Sequence, residues 1–356
     1  ITDESNRKGL HLFSHGGIFI AERAEVSVTR KRILSGMRTT GKLHLGNLHG
    51  ALSNWIALQN HGDYDCYYFV ADWHALTSDY ATTGDIRSNT IDMVIDWLSA
   101  GLDPAKSTLF IQSSIPEHAE LFLLLSMITP LAWLERNPTY KEIKEELAEK
   151  DLSTFGFLGY PVLQAADILM YKAYGVPVGV DQLPHVELTR EIARRFNFLY
   201  SEVLPIPEPL LAPVPKLIGI DGRKMSKSYD NSIFMSDRGA DLARKVATMF
   251  TDPQRQRKSD PGRPELCNVR AFHQLYSPPE EVAELETACR VAQIGCTECK
   301  RRLAGAIATL AGPRVQSFRF GEFTIGSLFD ALVATTDLDR PIATAPTSML
   351  VADLDG

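Results

Sequence analysis

No apolar run in the 356-residue chain approaches the roughly 20 residues that a helical membrane span needs, which excludes such an anchor within it. The chain begins Ile1-Thr2-Asp3-Glu4, without an initiator methionine and without the apolar core of a secretory signal. There is no surplus of positive charge: 37 lysines and arginines against 44 acids leave a net charge of −7. Any nucleic-acid contact therefore has to come from local patches. Arg255, Arg257, Lys258 and Arg263 form one such patch, and Lys300, Arg301 and Arg302 another. Either patch taken alone reads as solvated surface. There are only five cysteines, yet four of them, Cys267, Cys289, Cys296 and Cys299, crowd into 33 residues. Internal repeats and low-complexity tracts are absent. With 23% charged and 44% apolar residues, the composition is that of an ordinary globular enzyme.

The most informative stretch runs from Ile33 to Gly50, a short strand, a glycine-punctuated loop and the start of a helix. After Gly46, apolar residues fall at Leu48, Ala51, Leu52 and Trp55, which is helical spacing. A helix that starts at a strand end offers free N–H groups and a positive dipole end to phosphate. Gly46 lets a nucleotide approach the backbone, and His44 and Asn47 are neutral donors beside it. Alone, such a turn is more often plain topology. A second stretch, Asp221-Gly222-Arg223-Lys224-Met225-Ser226-Lys227-Ser228, changes that balance.

Residues 31–200 alternate strand and helix. Cys66–Ala71 is a continuous apolar run, as a strand covered on both faces requires. Ile86, Thr90, Met93, Val94, Trp97 and Leu98 follow at helical spacing and Gly101 closes the helix. Thr108–Ile111 predicts a further strand, and Leu121–Ile128 a buried helix. The alternation implies an α/β fold with a doubly wound, parallel, Rossmann-like sheet. Residues 137–150 are charged and helical, an inserted piece, and five prolines between Pro205 and Pro215 predict an irregular crossing. Beyond Ser236 the pattern turns mainly helical. The expected organisation is an unmatched extension at 1–30, a nucleotide-binding catalytic domain at 31–235 with a connective insertion at about 115–150 and a lysine loop at 221–230, a smaller, mainly helical domain at 236–312, and a tail at 313–356.

The two glycine- and lysine-bearing stretches, 180 residues apart and in this order, resemble the paired signatures of class I aminoacyl-tRNA synthetases. Val70–Thr77, Thr139–Lys144, Tyr160–Met170, Val176–His185 and Glu187–Asn197 are similar to tryptophanyl-tRNA synthetases. The resemblance spans about residues 32–305. It implies ATP contacts from Arg38, Thr40, His44, Gly46, Asn47, Lys224, Met225, Ser226 and Lys227, with Lys224, Lys227 and His44 as the catalytic set. It implies a tryptophan pocket of Gly36, His74, Tyr160, Gln164, Asp167 and Gln182, in which Asp167 reads the indole N–H. Asp167 lies in an apolar helical stretch, where a carboxylate needs a partner, so a purely structural role stands beside that reading. Two positions depart from the family's pattern: Thr39 stands where proline is usual, and Val180 where a glutamate usually precedes the Asp-Gln pair.

The implied reaction joins tryptophan to ATP, releases pyrophosphate, and then charges tRNA(Trp). Its attacking carboxylate is already an anion, so positioning and charge stabilisation suffice and no general base is needed. Mg²⁺ would ride mainly on the phosphates, because no carboxylate cluster looks dedicated to it. The C-x21-C-x6-C-x2-C spacing favours a four-thiolate site in a cytoplasmic protein. Thr251–Cys267 is similar to a subgroup of these enzymes that carries a [4Fe–4S] cluster, with Zn²⁺ or free thiols as alternatives. The resemblance further implies a homodimer. It stops near Gly312, where the family continues with basic anticodon-binding helices; here three arginines face six acids. Rival readings are a tyrosyl-tRNA synthetase, a small-molecule adenylyltransferase, and a synthetase-like regulatory protein that charges no tRNA.

Overall fold

Five parallel strands in the order β3-β2-β1-β4-β5 form the sheet on which everything else is mounted. The computed structural model describes residues 30–138, 140, 151–211 and 217–320. The expected extension at 1–30, most of the charged piece at 137–150 and most of the tail at 313–356 lie outside the described residues. Strand β1 (Lys31–Arg38) pairs along its whole length with β2 (Tyr64–Ala71), which pairs with β3 (Ser107–Ile111). On the other side β1 meets β4 (Gly175–Val178), and β4 pairs with β5 (Glu208–Leu211). The order reverses at β1 and β4, so the crevice of such a sheet opens at the carboxyl ends of those two strands.

Helix α1 (Leu45–Asn47) runs through a five-residue π-turn, Leu48–Leu52, into α2 (Ser53–His61). Helix α3 (Asp72–Asp79) leaves the end of β2, and α4 (Ile86–Ala100) is closed by Gly101 at φ 112°, a conformation that favours glycine. Helices α5 (Glu117–Ile128) and α6 (Leu131–Glu135) follow β3; α7 (Phe155–Met170) and α8 (Leu183–Leu199) flank β4. The C-terminal helices are α9 (Gly239–Ala247), α10 (Asn268–Tyr276), α11 (Pro279–Arg290) and α12 (Cys296–Phe320). Ile33, Trp55, Tyr68 and Trp97 from the sheet layer share one apolar cluster with Leu242, Val246, Phe272, Leu303 and Ile307 from those helices. Met225 of the lysine loop is a member of this cluster, so its burial, at about 25 cal/mol per Å² of apolar surface removed from water, helps hold the loop in place.

Two expectations need correction. The proline-rich crossing contains a strand: β5 includes Pro209 and lies at the sheet edge, where a residue without an N–H is tolerated. The helix expected to be buried is α5, and it turns Leu123, Leu124 and Met127 outward, Met127 being 70% exposed. A continuous apolar run cannot distinguish burial in a core from an apolar face left at the surface.

Candidate active site

At the carboxyl end of β1 the chain turns through Gly41, at φ 94°, into α1. His44 Nδ1 accepts the Asn47 N–H at 3.3 Å while Asn47 Oδ1 accepts the His44 N–H at 3.0 Å, a reciprocal cap. Burial, and then the charge of Lys227, lowers the His44 pKa to about 4, so the ring is neutral at pH 7. Because Nδ1 is the acceptor of the cap, the hydrogen sits on Nε2, which is left to donate. Gly46 lies against the same ring: a Cβ there would stand 2.9 Å from two of its atoms.

The lysine loop folds over this turn. Lys227 Nζ donates to the Thr40 and Gly41 carbonyls, both at 2.9 Å. Burial lowers its pKa to about 8. Asn231 Oδ1 accepts the Ser226 N–H at 2.8 Å and its amide donates to Asp221 at 2.7 Å, bracing the loop from behind. Met225 is a core residue rather than a lining one. A cavity of about 490 Å³ lies between loop and helix, bordered by Arg38, Thr40, His44, Asn47, Ser226 and Lys227.

A second cavity of about 660 Å³ adjoins the first, and Arg38, Thr40 and Asn47 border both. Gly36, His74, Tyr160, Gln164, Asp167, Gln182 and Lys224 line it. Gly36 forms the floor because nothing larger fits: a Cβ would lie 2.6 and 2.7 Å from the Cε atoms of Phe69. Tyr160 hydrogen-bonds His185 at 2.9 Å, and Asn137 holds the other His185 nitrogen at 3.2 Å. Burial lowers the His185 pKa to about 4, leaving a neutral ring behind the phenol. Arg38 is anchored by Ser78 and, at 3.9 Å, by Asp79.

Asp167 is fully buried on α7. It accepts from His74 at 2.8 Å, from His118 at 2.7 Å, and from Gln112 at 2.9 and 3.1 Å. Burial by itself would raise its pKa, but the hydrogen bonds and charges of His118 and His74 bring it down to about 2. His118 also meets the Tyr171 hydroxyl at 3.0 Å. Gln112, His118, Tyr171 and His185 are absent from the set expected from sequence. Gln112 directly follows β3, and its place at a carboxyl end of the sheet was a usable signal.

The four cysteines gather where α10, α11 and α12 meet. Cys267, Cys289 and Cys299 border a small cavity of about 30 Å³ with Arg270 and His273. One guanidinium nitrogen of Arg255 lies 3.4 Å from Cys289 Sγ and 3.9 Å from Cys296 Sγ. All are free thiols, and burial raises the pKa of Cys267 and Cys289, and that of Cys299 to about 12. Among the described residues no group of three or more His, Cys, Asp or Glu side chains is arranged to hold a metal ion. Arg255 thus lies against two of the four cysteines expected to form a four-thiolate centre. The basic patches are also partly spent: Arg263 pairs with Asp252, and Arg301 and Arg302 with Glu298. Among the described residues no helix is long and apolar enough to cross a membrane.

Residues 28–311 match the family described as tRNA synthetases class I (W and Y). The chain is 56% identical to the tryptophan–tRNA ligase of Thermotoga maritima over 81% of its own length and 88% of that protein. It is 48% identical to that of Aquifex aeolicus, covering 88% of this chain and 96% of the relative. Among solved structures, tryptophanyl-tRNA synthetase from Campylobacter jejuni, complexed with ADP and tryptophan, aligns with a TM-score of 0.80 at 30% identity, covering 91% of this chain and 98% of that one.

Proposed function

Since this chain belongs to the class I tRNA synthetases of the W and Y type, we infer from that premise a tryptophan–tRNA ligase. It activates L-tryptophan with ATP to tryptophanyl-adenylate and pyrophosphate, then transfers tryptophan to the 3′ end of tRNA(Trp). The observation that carries the assignment of roles is the pair of cavities meeting at Arg38, Thr40 and Asn47. One has the cations and helix N-terminus that phosphates need; the other has a buried carboxylate beside aromatic and amide groups.

We assign ATP to the cavity of His44, Asn47, Ser226 and Lys227, and tryptophan to that of Gly36, His74, Tyr160, Gln164, Asp167 and Gln182. A carboxylate oxygen of tryptophan attacks the α-phosphorus in line, forming the acyl–phosphate bond as the bond to the pyrophosphate oxygen breaks. Neutral His44 donates from Nε2, and the ammonium groups of Lys224 and Lys227 oppose the charge on the phosphoryl oxygens. Mg²⁺ would be held by the phosphates, since no carboxylate grouping among the described residues could hold a metal ion. Asp167 accepts the indole N–H, and Tyr160 and Gln182 hold the α-ammonium.

The proposal extends to a homodimer and to the cysteines. Leu123, Leu124, Met127 and Leu131 give α5 and the start of α6 an exposed apolar surface, which a second copy would cover. A [4Fe–4S] cluster would be held by Cys267, Cys289, Cys296 and Cys299. Support comes from the donor set: Cys267, Cys289 and Cys299 border one small cavity, Cys289 and Cys296 share the Arg255 guanidinium, and four thiolates are the ligands such a cluster takes. Anaerobically purified protein should then be brown, with about four irons per chain, and Cys296→Ser colourless; one tightly bound zinc in colourless protein would replace the cluster. We assign the chain to the cytoplasm, where its tRNA substrate is. Charging of tRNA(Trp) with labelled tryptophan tests the whole reading: ester-linked label is expected, and adenylate formation without charging would instead identify a synthetase-like adenylating protein.

A further inference from the structure

Asp167 has no free side. Its two oxygens offer about four lone-pair positions, and His74, His118 and both contacts of Gln112 take them up. The partners differ in where they stand. Gln112 and His118 are 0% exposed and do not border the 660 Å³ cavity. His118 is held on its far side by the Tyr171 hydroxyl, and Phe69 and Phe110 lie against its ring, with centroids 6.0 Å away in each case. His74 borders the cavity together with Asp167, and its ring lies edge-on to Tyr160 at 6.4 Å. His74, the partner that borders the cavity, donates to Oδ2, whereas the enclosed His118 donates to Oδ1.

We propose that His74 is a specificity-determining residue that stands in for the ligand: its Nε2–H occupies Asp167 Oδ2 in the empty pocket and yields that position to the indole N–H. His118 and Gln112 are positioning residues that hold the carboxylate still during the exchange. The inference rests on the assignment of Asp167 as the indole reader. Exchange has a consequence for selectivity. A pocket that must hydrogen-bond its substrate rejects an analogue without the donor because a buried acceptor is left bare. Here the analogue leaves the His74–Asp167 pair intact and no acceptor is bared. Selection for the N–H is therefore softened by His74, and removing His74 sharpens it.

The test uses two substrates in amino-acid-dependent ATP–pyrophosphate exchange: tryptophan and β-(3-benzothienyl)alanine, in which sulfur replaces the ring N–H. The reading is the ratio of their kcat/KM values. In His74→Leu the ratio should rise about tenfold or more over wild type, the loss expected when a charged acceptor is left unpaired. A purely structural role would lower both substrates together and leave the ratio unmoved. In Asp167→Asn the ratio should collapse, because the acceptor itself is altered. If Asp167→Asn collapses the ratio while His74→Leu leaves it unchanged or lowers it, the exchange is refuted and the assignment of Asp167 stands. If Asp167→Asn leaves the ratio unmoved, the assignment fails and the exchange fails with it. In the intact protein, labelled histidine resonances give a second reading: tryptophan should shift the His74 Nε2–H signal and spare that of His118 Nδ1–H. The reverse pattern would also refute the exchange.

Discussion

Gly36→Ala adds one methyl group to the central strand, at a point where the structure has no room for it. The new Cβ would stand 2.6 and 2.7 Å from two carbons of the Phe69 ring, where ordinary contact begins at 3.4 Å. The ring would have to retreat by the better part of an ångström. It cannot do so freely, because Phe110 stacks against it with centroids 5.4 Å apart and His118 lies at 6.0 Å. Overpacking of a closed core costs about 1–3 kcal/mol. At about 2–4 °C per kcal/mol for a chain of this class, Tm should fall by several degrees. Phe69 also lines the 660 Å³ cavity to which we assign tryptophan. The KM for tryptophan should therefore rise severalfold while the KM for ATP stays near wild type. Thermal unfolding and pyrophosphate exchange on the same preparation give both readings. Phe69→Leu in the same chain should restore most of the loss, since it removes the ring that the methyl meets. A Gly36→Ala protein with unchanged Tm and unchanged tryptophan KM would refute the reasoning.

Burial holds the Lys227 pKa at about 8, so its ammonium is lost as pH rises through that value; ATP affinity should weaken above pH 8, and Lys227→Arg should move that limb to higher pH. His44→Ala removes one half of the reciprocal cap, which should cost about 0.5–2 kcal/mol and raise the KM for ATP more than that for tryptophan. The Asp167 carboxyl is held at about 2, below its ordinary 3.8, so its stabilising contribution is complete above pH 3.8 and is lost as pH falls toward 2; Asp167→Asn should flatten that acid limb in pH-dependent unfolding. Met127→Asp on the exposed face of α5 should convert a dimer to a monomer in sedimentation velocity, and an unchanged dimer would place the interface elsewhere.

The sheet and the turn from β1 into α1 were legible because their causes are local. Cys66–Ala71 is apolar at every position since β2 is covered on both faces, and Gly101 closes α4 because the chain there needs a positive φ. His44 and Asn47 could be named as donors beside Gly46, but that each caps the other emerges only in the folded turn. Asp167 could be named as well, but not the partners that complete it. Gln112 and His118 lie 55 and 49 residues away and reach it only after β3 and α5 have packed beside α7. The outward face of α5 was hidden for a related reason: its sequence is apolar nearly all round, and burial depends on what stands opposite. The cysteine spacing signalled a shared neighbourhood, which is present, but spacing cannot show that Arg255 enters among the sulfurs.

ATP–pyrophosphate exchange with tryptophan, with tyrosine and without amino acid, run in parallel on the full chain, tests the central claim most directly. The two adjoining cavities predict exchange that depends on tryptophan and is close to background with tyrosine or with no amino acid. Exchange that is stronger with tyrosine, or that proceeds equally without an amino acid, would contradict the account.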